Sequence, residues 1–284
     1  MIRIFADSTC DLSEELISRY HITILPLHVV LGDEEYLDGS EITPDEIYAW
    51  SNENKLPPKT SAVSMDTVGE AYASALHAGD EIISFAISAD MSTTANVMRL
   101  TAQELNAEDR ITVIDSMNLS TGEGLLVVAA AEMAEKGLTR SEIEQQICRL
   151  RPLVRASFVV DTLTYLHRGG RCSGVAALAG GALKLHPRIA VSEGRMAPGK
   201  KYRGAMGKTM LAYAKDMEEE LLHAKPRHVF ITHSGCPQED IDAVKDYVAS
   251  LNHFDEIHIT RAGGVISSHC GPGTLGVLFI AGEE

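Results

Sequence analysis

Apolar and polar positions along this chain switch between two periods. Short runs at Ile2–Ala6, Glu81–Ile87 and Ile111–Asp115 are apolar and rich in β-branched residues, the pattern of strands buried on both faces. Ile22–Leu31 reads as a further strand despite Pro26. Between these runs the spacing lengthens to that of amphipathic helices. Leu12–Tyr20 follows Asp11 and Ser13. Other helices start near Pro44, run from Ser64 to about Leu76, and cover Thr94–Leu105. Three pairs have capping-box spacing: Thr43 with Glu46, Ser120 with Glu123, and Thr139 with Glu142. The second precedes an unusually apolar helix, Leu125–Met133, and the third opens a helix through Arg149. This strand–helix alternation predicts a parallel, doubly wound sheet.

Beyond residue 160 the strand signals lengthen and crowd together, at Arg188–Met196, His228–His233, Glu256–Arg261, Gly263–Ser268 and Thr274–Ala281. Helical stretches lie at Val175–Leu183, Met206–His223 and Gln238–Leu251. Adjacent strands joined by Ala262-Gly263-Gly264 and Gly271-Pro272-Gly273 imply antiparallel or mixed pairing. The expected fold is therefore α/β in two domains. Residues 1–160 form a Rossmann-like parallel domain, and residues 161–284 a mixed α/β domain that covers a cleft.

Three of the N-terminal strands, at Ile2–Ala6, Glu81–Ile87 and Ile111–Asp115, run into hydroxyl clusters: Asp7-Ser8-Thr9, then Ser88 with Ser92-Thr93-Thr94, then Ser116 with Ser120-Thr121-Gly122. In a parallel sheet such loops gather at the carboxyl edge, where ligands bind. Helix N-termini there offer free N–H groups to an anion. With almost no Lys, Arg or His in these loops, a weakly held anionic head group fits best.

Composition narrows the classes. Formal charge is −15 and aromatics make up 5% of the chain, so the basic stripe or stacking platform of a nucleic-acid reader is missing. Five cysteines without a C-x-x-C pair argue against a disulfide framework or a redox motif. Asp7 and Asp11 come too early for a signal peptide, and the longest apolar run, Leu125–Ala131, is too short to span a bilayer. A cytoplasmic protein with no integral membrane segment is expected.

Several chemical signatures are absent. The first strand–helix turn holds no glycine, and Gly122 and Gly124 form only G-x-G, so no dinucleotide fingerprint exists. Gly204 to Thr209 is one residue short of a phosphate loop. There is no G-x-S-x-G elbow. None of the eleven histidines sits in H-x-H or H-E-x-x-H, so neither a metal nor a cofactor is expected.

Four segments remain. Lys59 to Ser64 places hydroxyls before a helix. Tyr165 to Arg171 brackets a Gly-Gly turn with guanidiniums. Lys200, Lys201, Arg203 and Lys208 form a basic patch on an acidic chain. His269-Cys270-Gly271-Pro272-Gly273 closes an apolar run. Taken in order with the hydroxyl loops, these segments resemble the DegV family of fatty-acid-binding proteins over nearly the whole chain.

That resemblance implies two α/β domains with one long-chain fatty acid between them. It implies a carboxylate held by Thr60, Ser61 and Ser92, with Thr93 beside them and His269 and Arg168 near the head group. It also implies a non-catalytic binding subunit that presents the carboxylate to a separate ATP-using fatty-acid kinase, docked through Arg171, Lys200, Lys201 and Arg203. The chain departs from the family pattern in having Thr93 where Gly is usual, in lacking Gln-Pro after Ser61, and in the charged Leu185-His186-Pro187-Arg188. Burying ~15 methylenes would gain about 12 kcal/mol, against association costs of ~4–15 kcal/mol, so the tail must dominate binding and neutral hydroxyls suffice for the head. The residues alone also admit an enzyme acting on a small carboxylated or phosphorylated metabolite in the same cleft, or a regulatory module engaging a protein through its basic patch.

Overall fold

The computed structural model describes residues 1–172 and 185–282. Strands β1 (Ile2–Asp7), β2 (Thr23–Leu25), β6 (Glu81–Ala86) and β7 (Ile111–Asp115) form an all-parallel sheet in the order β2-β1-β6-β7. A mixed sheet of six has the order β10-β9-β8-β13-β11-β12. It is built from β8 (Val154–Val159), β9 (Leu185–Ser192), β10 (Arg195–Arg203), β11 (Ala224–His233), β12 (Glu256–Arg261) and β13 (Leu275–Ala281). A small antiparallel sheet, β4-β3-β5, joins Glu34–Leu37, His28–Leu31 and Lys59–Ser61. The two-domain α/β architecture read from the pattern is the one observed, and β8 pairs with β13 and β9 of the second sheet.

The helices are α1 (Glu14–Arg19), α2 (Pro44–Asn54), α3 (Met65–His77), α4 (Thr94–Glu104), α5 (Thr121–Glu135), α6 (Arg140–Leu150), α7 (Thr164–Gly169), α8 (Met206–Lys215), α9 (Glu218–Leu222), α10 (Gln238–Ser250) and α11 (Gly264–Cys270). One core places Leu125–Val128 of α5 between Ile83, Phe85 and Ile114 of the parallel sheet and Ala156, Phe230 and Leu278 of the mixed sheet. That position explains a helix with no polar stripe: it is covered on both sides. α3 and α4 cover the outer face of the parallel sheet, through Val68, Tyr72 and Met98. α8 and α10 cover that of the mixed sheet, through Met210, Tyr213 and Val244.

Several expectations are corrected. Ile22–Leu31 is two strands in two different sheets, with Pro26, which has no N–H for a ladder, at the break. Arg188–Met196 is a hairpin, not one strand, because Glu193 (φ 49°) and Gly194 (φ 80°) both take the left-handed conformation that a two-residue turn needs. Met206–His223 divides into α8 and α9. Gly263–Ser268 is helical: the β-branched pair Val265-Ile266 misleads, and carboxylates from elsewhere hold the first turn, as described below. The small sheet β4-β3-β5 has no counterpart among the predicted strands except β3, which falls within Ile22–Leu31. The helix expected over Val175–Leu183 lies outside the described residues.

Two of the three capping boxes are present, at Thr43 and Thr139. The third is not. Ser120 stands at φ 52° and makes no cap bond, because Glu123 is wholly buried and points to Thr9. Thr139→Ala is expected to cost α6 about 1 kcal/mol and to lower the melting temperature by roughly 2–4 °C. An unchanged calorimetric melting temperature would show that the cap is idle.

Candidate functional site

A cavity of about 470 Å³ opens at the carboxyl edge of the parallel sheet. The segments after β6 and β7 supply Ile87, Met91, Ser92, Thr93 and Leu119. β5 supplies Thr60 and Ser61, β10 supplies Met196, and α11 supplies Val265, Ile266, His269 and Cys270. Most of this wall is aliphatic or thioether, and methionine adapts readily to the shape of an occupant. Leu119, Ile266 and Cys270 also border a second void of about 20 Å³, bounded further in by Phe158 and Leu278. The hairpin of β9 and β10 closes one side, where the Ser88 hydroxyl donates to the Gly194 carbonyl at 2.7 Å.

Strand geometry separates the two hydroxyls of β5. Successive residues face opposite sides, so Thr60 pairs with Val29 and Ser61 with His28. Thr60 Oγ1 lies 2.8 Å from His269 Nε2. The exposed Ser61 donates to Glu35 Oε1 at 3.0 Å, and His28 Nδ1 meets the same oxygen at 3.1 Å. Ser92 bonds within its own loop, 2.9 Å from Thr94 Oγ1, and Thr93 is an exposed neighbour.

Burial, with the positive charge of Arg171 second, pulls His269 down to about 4, so its imidazole is neutral at pH 7. Among the described residues its buried Nδ1 has no partner. An unpaired N–H costs more than an unpaired lone pair, since backbone surveys find orphaned donors the rarer. The favoured tautomer thus carries the proton on Nε2 and donates to Thr60. The Thr60 hydroxyl then keeps its own proton free to donate into the cavity. Gly169, at the end of α7, makes this arrangement possible: a Cβ there would lie 2.3 Å from His269 Nδ1.

Beneath the cavity is a buried acidic scaffold that the sequence pattern did not reveal. Asp7 accepts from Thr9 N, from the Thr9 hydroxyl and from Ile87 N. Asp11 accepts from Ser120 at 2.5 Å and from Gly263 N at 2.8 Å. Asp38 accepts from Ser8 at 2.8 Å and from Gly264 N at 2.7 Å. These last two carboxyls hold the first turn of α11, the helix that carries His269. Among the described residues, hydroxyls and backbone N–H groups, not cations, serve this cluster. Burial pushes Asp7 up to about 6 and raises Asp11 and Glu123 well above the usual carboxylate range. The Ser8 and Ser120 clusters therefore brace the cleft and are not among its lining residues.

The remaining expected site residues are scattered. Arg168 is exposed on α7 and is not among the cavity's lining residues, whereas Arg171 is. Lys200, Lys201 and Arg203 are exposed along β10, an edge strand. Lys200 is committed to Asp216 at 2.5 Å and lies over the Tyr202 ring. No described helix is long and apolar enough to cross a membrane.

The architecture and the sequence both have close relatives. The model of a family described as "Uncharacterised protein, DegV family" matches residues 1–282. A DegV domain-containing protein of Deinococcus radiodurans is 34% identical over 279 residues, covering 98% of both chains. A DegV family protein of Thermus thermophilus, solved as a fatty-acid binder, superposes with a TM-score of 0.90 at 32% identity, covering 99% of each chain. A stearic-acid-binding protein of Eubacterium ventriosum gives 0.85 at 29% identity, over 99% of this chain and 98% of that one. With the ordered loops, the two sheets and nearly complete coverage all in agreement, the chain belongs to the DegV family.

Proposed function

We propose that this protein binds a long-chain fatty acid between its two sheets and presents the carboxylate to a separate ATP-dependent fatty-acid kinase, without catalysis of its own. The observation that carries the reading is the Thr60–His269 pair at an apolar cavity, where a free hydroxyl proton meets walls of Ile87, Met91 and Ile266. Fatty acids in relatives as similar as the Thermus protein support it. In this reading Thr60 and Ser92 donate to the carboxylate, with Thr93 beside them. Ser61 joins when it leaves Glu35, and the tail runs inward past Leu119 toward Phe158. The nearby thiols are poor nucleophiles: burial pushes Cys172 up to about 11 and Cys270 higher. Arg168, Arg171, Lys201 and Arg203 are exposed for a partner to read, and Lys200 joins them if it leaves Asp216. The working compartment is the cytoplasm.

Native mass spectrometry of the purified chain tests the ligand. Co-purified fatty acid is expected, and a clean apo mass with no uptake on titration would sink the proposal. A hydrogen bond to a charged group contributes ~1.5–3 kcal/mol, so Thr60→Val should weaken fatty-acid binding by about 10- to 100-fold.

A further inference from the structure

On the far edge of the mixed sheet, three metal-capable side chains share one face of the parallel pair β11 and β12. His228 lies opposite Glu256 in the register, and Phe230 opposite His258, so His228, Glu256 and His258 project together. His228 Nδ1 and His258 Nε2 are 3.0 Å apart, and His258 Nε2 and Glu256 Oε2 are 3.8 Å apart. All three ligand atoms fall within 4.8 Å of one another. Two ligands of a tetrahedral zinc ion, with bonds of about 2.0–2.1 Å, lie about 3.3 Å apart, so these spacings bracket a coordination sphere.

We propose that His228, His258 and Glu256 form a binding site for a zinc-class divalent cation, separate from the cavity that holds Thr60 and His269. A second shell already exists. His228 Nε2 meets Glu132 Oε1 at 3.2 Å, and Glu132 also accepts from Tyr20 and Arg227. A carboxylate on one ring nitrogen sets the tautomer and leaves the other lone pair for a metal. Here that leaves Nδ1 facing His258 and Glu256. The His258 ring is fixed by stacking on Phe230, with centroids 4.6 Å apart. A cavity of about 430 Å³ is lined in part by His228 and Glu132, on the outer side of that shell. Without metal, His258 Nε2–H can donate to His228. On binding, that proton moves through solvent to His258 Nδ1 and frees the Nε2 lone pair for the metal.

Two guanidiniums compete with the cation for Glu256. Arg19 Nη1 holds Glu256 Oε2 at 2.7 Å, and Arg227 reaches Glu256 Oε1 at 3.3 Å. Arg19 also contacts Glu15 at 2.8 Å, so it has another partner when displaced. Removing Arg19 should therefore tighten metal binding, an outcome that no incidental histidine site would give.

The untagged chain, stripped with chelator, is titrated with zinc and separately with cobalt at pH 7.5. Zinc at about 100 times its Kd should raise the melting temperature by about 5 °C. Cobalt should give the visible absorption of a low-coordinate nitrogen and oxygen site. His258→Gln and Glu256→Gln should each weaken binding at least tenfold, and Arg19→Ala should strengthen it about fivefold or more. The proposal is overturned if zinc shifts nothing, if both Gln variants bind as the wild type does, or if Arg19→Ala leaves affinity unchanged. The conservative Gln variants and the gain expected from Arg19→Ala keep the test independent of any folding defect.

Discussion

Gly169→Ala is expected to lose bound fatty acid by about 10- to 100-fold while the chain stays folded. The new Cβ would lie 2.3 Å from His269 Nδ1 and 3.3 Å from two further ring atoms. Overpacking of this kind costs ~1–3 kcal/mol. The cheapest relief is to move the imidazole, which breaks its 2.8 Å contact with Thr60. The neighbouring Gly170→Ala is the matched control. Gly170 sits at φ +67° with no atom of the described residues within 4 Å of where its Cβ would be, so alanine there strains the backbone without pressing on His269. Gly170→Ala should lower the melting temperature and leave fatty-acid affinity intact. Fluorescent fatty-acid displacement on both variants reads the difference. Equal affinities for Gly169→Ala and wild type would remove His269 from the binding arrangement.

Stability should fall as pH rises through about 6, and Glu123→Gln should flatten that fall. A raised carboxyl keeps its proton in the folded state after the unfolded chain has released it. Its contribution is complete below the unfolded value and is lost as pH passes the folded one. For Asp7 the window runs from 3.8 to about 6, a change on the order of 3 kcal/mol. Glu123, buried beside Asp7 and Asp11, extends the same sign to higher pH. Gln preserves its shape and removes its titration and its repulsion of Asp7. His258 and His269, both lowered, act with the opposite sign: their stabilisation is present above the unfolded value of 6.5 and is lost as pH falls toward about 4. The decisive quantity is therefore the difference between the two chains, read as melting temperature from pH 4.5 to 8. Superimposable curves would show that Glu123 does not carry a folded-state proton.

Local patterns predicted whatever depends on neighbours along the chain. β1, β6 and β7 appeared with their ends nearly placed, because β-branched runs meant for a doubly covered sheet look the same wherever they occur. Thr43 and Thr139 were correctly read as caps because a capping box is closed by residues three apart. Ser120 failed the same test: its partner Glu123 points into a core that only distant strands create. α11 was misread as a strand for a related reason, since its first turn is held by Asp11 and Asp38, more than two hundred residues away. Thr60 and Ser61 both line the cavity, yet the Ser61 hydroxyl is engaged by Glu35, and the cavity wall includes Arg171, expected at the partner surface, and not Arg168, expected at the head group.

By itself, then, the sequence determined the α/β class, the parallel first sheet, most elements and, through its ordered loops, membership of a family whose solved relatives include fatty-acid binders. Only the tertiary structure decided how each hydroxyl at the cavity is engaged, that His269 is a neutral donor to Thr60, that Gly169 leaves room for the His269 ring, and that His228 and His258 converge on one face. The physical reason is that period and capping are local properties of the backbone. Burial, protonation and convergence are set by groups brought together across the whole chain, and no window of sequence contains them.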